Sequence, residues 1–308
     1  MKQSFSCLPK LARASLLLVG CWPMPAVAQT SAVPAAIQHG SRGSTASGDV
    51  LLDSAINRLQ GHGSVSARVR LQSQFFGHEV FGSGRYLQKG RGAERQIRLE
   101  LSIPTTVTKN VMISVSNGRQ WWHYVETADQ QEMTVVDLTA VRAAAAHARA
   151  DGLSDMGVDL ARGGLPQTLQ RLQDNFQFAP ATQMTQAAGT IWITRGRWRK
   201  DRLQQLIAPT EKEQASKISR QLSGRLPREV LLYLHDGTLF PQKIEYLGSA
   251  PAEASAGQHR LLASIEFFEI GFDRLLDESH FQRPREMIAE DVTDRHLKEM
   301  GFAKAKRR

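Results

Sequence analysis

Thiols are almost missing from this chain. Among its 308 residues are two cysteines, Cys7 and Cys21, and both lie in the first 21 positions. The remainder therefore has no thiol nucleophile, no cysteine ligand for zinc and no disulfide. A chain this long can bury most of its apolar surface, so its stability does not require cross-links. Other signatures are missing too. The nine histidines are scattered singly, with no H-E-x-x-H or comparable ligand spacing, and no metal or other cofactor is expected. No G-x-S-x-G, Walker loop or dinucleotide glycine pattern occurs, and GSGRYLQKG has too few features to count as one. Asp155 and Asp159 stand i, i+4 in a glycine-bearing segment, which is the pattern of a solvated loop rather than a hydrolytic carboxylate pair. The N-terminal apolar run is too short to span a bilayer, and no other run reaches that length. No repeat or heptad series stands out.

What is present begins with an export signal. Lys2, Lys10 and Arg13 precede the apolar run ASLLLVG, and Ala26-Val27-Ala28 before Gln29 forms an A-x-A cleavage site. A second reading competes, since Leu18-Val19-Gly20-Cys21 has the form of a bacterial lipobox, in which Cys21 would be lipidated. Residues 29–48 are small, polar and punctuated by Pro and Gly, as in a disordered tether. The chain has 39 Lys+Arg against 30 Asp+Glu. Removing residues 1–28 takes three basic and no acidic residues, leaving 36 against 30, which is moderately basic. The run TRGRWRKDR (194–202) interleaves Trp198 with basic residues. For an exported protein this suits the anionic headgroups of a membrane surface rather than a nucleic acid, though a solvated basic loop has the same composition.

From residue 49 the dominant signal is period-two alternation between turn residues. DVLLDSAINRL (49–59) reads as a helix with Val50, Leu52, Ala55, Ile56 and Leu59 on one stripe and Asp49 as its cap. SVSARVRLQSQF places Val65, Ala67, Val69 and Leu71 opposite Ser66, Arg68, Arg70 and Gln72. ERQIRLELSI does the same with Ile97, Leu99, Leu101 and Ile103. Gly82 and Gly84 inside a strand pattern predict a bulge or strong bend. Asn117-Gly118 predicts a two-residue hairpin, in which Ile113 faces Trp122 and Val111 faces Tyr124. Val111, Ile113, Val115, Trp122 and Tyr124 then share one face; Met112, Ser114, Ser116, Trp121 and His123 share the other. LTAVRAAAAHARADGL (138–153) is an alanine-rich, weakly amphipathic helix leading into a glycine-bearing loop, and 164–176 is a second helix with Pro166 in its first turn. The sheet resumes over FQFAP, GTIWITRGRW, LPREVLLYLHDGTLFPQKIEYLGS and HRLLASIEFFEIGF, with an Asp236-Gly237 hairpin setting Leu234 opposite Leu239. Residues 208–224 and 249–258 read as polar insertions. The end, 284–308, reads as a short helix from Pro284 with a frayed basic tail.

The segments LLDSAINRLQGHGSVSARVRLQSQFFGHEVFGSGRYLQKGRGAERQIRLEL, NGRQWWHYVETADQQEMTVVDL and LPREVLLYLHDGTLFPQKIEYLG resemble the LolA/LolB-like periplasmic lipoprotein carriers over residues 49–283. That resemblance implies a mainly β (α+β) fold: a half-open, strongly curved antiparallel β-barrel with helices as lid or plug, and a concave apolar interior that accepts acyl chains. It implies a periplasmic, non-enzymatic carrier, monomeric, whose partners are lipid or lipoprotein acyl chains, and it brings no catalytic residues. The chain departs from the family in its greater length and in having no arginine recognisable as the lid latch. The expected cavity is the face carrying Val111, Ile113, Trp122 and Tyr124 together with Leu99 and Leu101. The alanines of 139–150 are too small to fill a wide concavity, which suits a lid with space beneath. An envelope sensor, or a structural protein whose barrel is plugged by its own side chains, is the alternative; an enzyme ranks below both.

Overall fold

The computed structural model describes residues 45–75, 78–105, 108–147, 156–186, 189–207, 226–249 and 259–300. The expected export signal, Cys21, most of the expected tether at 29–48, and residues 208–224 and 250–258 of the two expected polar insertions lie outside the described residues. In chain order come β1 (Thr45–Ala46), α1 (Gly48–Gly61), β2 (Ser64–Phe75), β3 (His78–Lys89), β4 (Gln96–Pro104), β5 (Lys109–Ser116), β6 (Gln120–Glu126) and β7 (Gln131–Asp137). The helices α2 (Leu138–His147) and α3 (Met156–Asn175) interrupt the strands. Then follow β8 (Phe176–Phe178), β9 (Ala181–Gln186), β10 (Gly189–Trp198), α4 (Lys200–Ile207), β11 (Glu229–His235), β12 (Pro241–Ser249), β13 (His259–Phe272), β14 (Glu290–Asp291) and α5 (Thr293–Glu299).

All fourteen strands join one sheet in the order β1-β9-β10-β11-β12-β13-β2-β3-β4-β5-β6-β7-β14, with β8 added to β10. Every pairing is antiparallel except β14 with β7. The two ends of the order do not pair, so the sheet is an unclosed barrel, and its long strands β2, β3 and β13 supply the twist that curls it. Register shifts at Tyr246/Leu247 and between Phe268 and Gly271 add local curvature beside them.

Alternation in β2 and β4 has the expected consequence. Val65, Ala67, Val69, Ile97, Leu99 and Leu101 are buried on the concave face, where the stripe Leu52, Ala55, Ile56 and Leu59 of α1 and the leucines 160, 165, 169 and 172 of α3 pack with them in the main core. Val50 is off that stripe and 61% exposed. Asp49 does not cap α1; its carboxylate accepts instead from the Phe178 N–H at 3.1 Å, tying the helix to β8.

Two local expectations are corrected. The β2–β3 ladder runs unbroken from Ser64↔Lys89 to Phe75↔His78, so Gly82 and Gly84 make no bulge. Gly84 is a point of close backbone approach instead: a Cβ there would stand 1.7 Å from the Glu100 carbonyl oxygen of β4. The Asp236-Gly237 turn is wider than expected. His235 pairs with Phe240, Leu239 takes a positive φ of 54°, and Leu234 faces Pro241 rather than Leu239.

Helix α3 begins earlier than the pattern around Pro166 suggests and bends at Gly164, whose φ is 73°. Pro166 falls in the first turn after the bend, where its missing N–H costs nothing. The C-terminal segment is not a helix from Pro284. It crosses the convex face as an irregular segment that bends over 284–287, adds β14 to the β7 edge, and turns helical at Thr293. Val292, Leu297 and Met300 then pack against the main core. This strap therefore touches both faces of the sheet.

Candidate functional site on the concave face

The register of β2 to β6 arranges the concave side chains in ranks that cross the strands. Ala67, Tyr86, Leu99, Ser114 and His123 form one rank. Next to it lie Val69, Gly84, Leu101, Met112 and Val125, then Leu71, Gly82, Ile103 and Asn110. Toward α3 the ranks are sealed, with Tyr86, Ile97 and Leu99 at 1% exposure or less. Away from it the covering thins. Leu71, Ile103, Met112 and Val125 are half-buried, as are Tyr246 and Ala263 on the strands beyond. The result is a continuous apolar strip that the helices leave partly open to solvent.

A polar fastening holds α3 over the sealed part. The Tyr86 hydroxyl accepts the Leu165 N–H at 3.0 Å and donates to Gln88 Oε1 at 2.7 Å, all within the core. Leu165 opens the second segment of α3, so this satisfies one of the unpaired N–H groups that every helix start leaves. Arg95 Nη1 donates to the Gly163 carbonyl at 3.0 Å from the other side of the bend. Burial pushes the Tyr86 phenol well above its usual range and holds the Arg95 guanidinium below its own. Gly164 fits here because a Cβ would meet Gln88 Oε1 and the Tyr86 hydroxyl at 2.5 and 2.8 Å. Sequence reasoning missed Tyr86, Gln88 and Arg95: polar residues in alternating strands carry no sign that a distant helix will dock on them.

At the β7 side the rank ends in a second polar group. Ser114 Oγ lies 2.8 Å from His123 Nδ1, and burial lowers the His123 pKa. Trp121, one position deeper, is 7% exposed and its indole Nε1 has no hydrogen-bond partner among the described residues. Its ring meets His296 of α5 edge-on at 5.8 Å. His296 in turn receives Arg162 of α3 at 3.2 Å, and desolvation together with that guanidinium lowers its pKa from 6.5 to about 4. Between these two values the unfolded chain takes up a proton that the folded one refuses, so this contribution to stability is intact above about pH 6.5 and is lost as pH falls toward 4. Asp273 and Glu100, whose pKa values are lowered, lose their contributions only at more acidic pH. The melting temperature should fall by a few degrees between about pH 7 and pH 5, and less so in His296→Gln. An equal fall in both proteins would assign the effect elsewhere.

The six residues expected to line one cavity fall on two faces. In the hairpin, Val115 faces Trp122, Ile113 faces Tyr124 and Val111 faces Glu126, two positions from the expected register. Gly118, with a φ of 86°, occupies the first central position of a turn closed by Asn117 and Gln120, so the turn is centred one residue later. A slip of two preserves the faces. Val111, Ile113, Val115, Trp122 and Tyr124 do share a side, but it is the convex one, where Met287 and Ala289 of the strap cover them. Leu99 pairs with Ser114 and Leu101 with Met112, so these two lie on the concave side with Trp121. The alanine-rich helix also lies elsewhere than a lid would: α2 buries Leu138 and Val141 at the β6 and α5 end, and α3 is the element that covers the sheet.

The basic run 194–202 is engaged within the fold. Arg195 and Arg197 both donate at 2.8 Å to the buried Glu229 carboxylate, Trp198 donates to the Pro227 carbonyl, and Arg199 donates to the Gln173 carbonyl. Arg197 keeps 72% of its side chain exposed. Among the described residues no group of three or more His, Cys, Asp or Glu side chains is placed to hold a metal ion. No described helix is long and apolar enough to cross a membrane.

The sequence matches no protein-family model and no curated protein. Its fold is similar to that of several solved structures. MucB matches with a TM-score of 0.41 and 13% identity over 79% of this chain and 66% of that one. A putative outer membrane lipoprotein-sorting protein domain from Vibrio parahaemolyticus gives 0.31 and 12% over 75% and 95%. A LolA superfamily protein from Nitrosomonas europaea gives 0.29 and 11% over 77% and 98%. Each is a distant likeness in the path of the chain.

Proposed function

We propose that the chain is a non-enzymatic carrier of the cell envelope, one that receives an acyl chain of a lipid or lipoprotein on the open part of its concave sheet. The observation that carries this reading is the half-buried strip through Leu71, Ile103, Met112 and Val125, continuous with the sealed core at Leu99 and Leu101. Each CH₂ of a guest laid along it gains roughly 0.8 kcal/mol, enough in sum to exceed the cost of ordering the chain. Helix α3 is the element that would move to deepen the site, because it is bent at Gly164 and fastened there by Tyr86 and Arg95. The outward donors of Arg197 offer chemistry for an anionic headgroup at a membrane surface. Destination in the periplasm follows from the A-x-A and lipobox patterns at the N-terminus.

The test is uptake of a fluorescent lysophosphatidylcholine by protein stripped of lipid. Saturable uptake at one molecule per chain is expected. A second reading, an interaction protein whose barrel is plugged by its own side chains, draws on the filling of the sealed ranks by α1 and α3. Absence of uptake by the stripped protein would select it.

A further inference from the structure

An apolar strip meant only for hydrocarbon has no use for hydrogen-bonding groups at its end, yet this one ends in three. His123 stands beside Val125 and Met112, on the border between the open and the sealed ranks, with its Nδ1 engaged by Ser114. Ser114 is 1% exposed, and among the described residues the His123 ring has no other hydrogen-bond partner. Trp121 follows one rank deeper on the same face, nine-tenths buried and with an indole N–H that no group among the described residues receives. A buried donor without an acceptor costs free energy. Such a group becomes favourable when an acceptor arrives. None of the three belongs to the α3 fastening, and among the described residues no charged side chain pairs with His123 or Ser114.

We propose that Ser114, His123 and Trp121 form a hydrogen-bonding stop for the acyl chain, which selects ligands whose hydrocarbon ends in a carbonyl, as an ester or amide does. The proposal rests on the acyl-chain reading above and adds the chemistry of the linkage. The hydrocarbon lies over Leu101, Met112 and Ile103, and its carbonyl oxygen accepts from the imidazole or indole N–H. His123 serves in its neutral form, which burial favours. In the tautomer in which the Ser114 hydroxyl donates to Nδ1, the neutral imidazole presents Nε2–H as the donor. An ether of the same shape brings no such acceptor, and it leaves the donors unpaired.

The comparison is between ester-linked lysophosphatidylcholine and its ether-linked analogue of equal chain length, each displacing a fluorescent lysophosphatidylcholine from the lipid-stripped full chain. The ester should bind about tenfold more tightly, the worth of one hydrogen bond in a buried site. In Ser114→Ala/His123→Phe the ester should fall toward the affinity of the ether, the rest of its advantage resting on the Trp121 N–H, while the ether holds its own. Trp121→Phe, which removes the N–H and keeps the ring, reports the third donor separately should the double variant fail to fold. Equal binding of ester and ether by the unaltered protein overturns the stop while leaving the carrier reading in place. Binding of neither lipid overturns both.

Discussion

Met112→Glu should reduce uptake of the fluorescent lysolipid by the lipid-stripped protein at least tenfold, and Phe81→Glu should leave it unchanged. Both positions tolerate the change structurally. Met112 is half-buried on the concave strip, so its replacement can reach water without unfolding the strand. Phe81 is 49% exposed on β3, with its neighbour Gly82 on the concave face, so it faces the convex side. What separates the two is the guest. A carboxylate on the strip must either lose water when an acyl chain covers it, at a cost of several kcal/mol, or hold the chain away. Roughly 1.4 kcal/mol already corresponds to a factor of ten. Leu71→Glu, in the next rank, should behave like Met112→Glu. Similar losses at positions 81 and 112 would mean that uptake follows general stability, and the strip would then lose its claim to the ligand.

Gly84→Val should be among the most destabilising single changes in the protein. The Cβ of any side chain here would fall 1.7 Å from the Glu100 carbonyl oxygen and 3.1 Å from the Leu101 Cα. These are backbone atoms, which cannot swing aside as a side-chain tip does. The β3–β4 ladder from Ser83↔Ser102 to Lys89↔Gln96 would have to part at its open end, and with it the floor of the strip. A loss of roughly 3 kcal/mol is the scale of such strain, or a fall in melting temperature of about 10 °C for a domain of this size. Gly61→Val serves as the control, since among the described residues nothing lies within 4 Å of a Cβ there. A loss no larger at Gly84 than at Gly61 would show that the two strands have room to separate.

Much of the architecture is legible in the alternation of β2 and β4, because a strand covered on one side must be apolar at every second residue. The stripe of α1 is legible for the corresponding reason at helical period. Even the hairpin could be assigned its faces, since an error of two residues in register leaves every side chain on its own side. What could not be read is which apolar face is the inner one. Trp122, Tyr124 and Ile113 form the more apolar side of β5 and β6, yet Met287 and Ala289 cover them from the convex side. Trp121 stands among serines and a histidine and belongs to the main core. Periodicity reports that a face is covered. It carries nothing about whether helices or a returning strap provide the cover. The Tyr86–Leu165 fastening is invisible for a related reason, as it joins a side chain to a backbone N–H in a helix that bends only because Gly164 permits it.

Photolabelling offers the most direct measurement: a lysophosphatidylcholine bearing a diazirine along its acyl chain, bound to the lipid-stripped protein, irradiated, and located by peptide mass spectrometry. With the label assigned to single residues by fragmenting the peptides, acyl chains lying on the open concave strip should mark the side chains of Leu71, Ile103 and Met112 and spare the convex cluster of Ile113, Trp122 and Tyr124 with its strap residues Met287 and Ala289. Labels concentrated at Trp122, Tyr124 and the strap would contradict the account and place the ligand on the other side of the sheet.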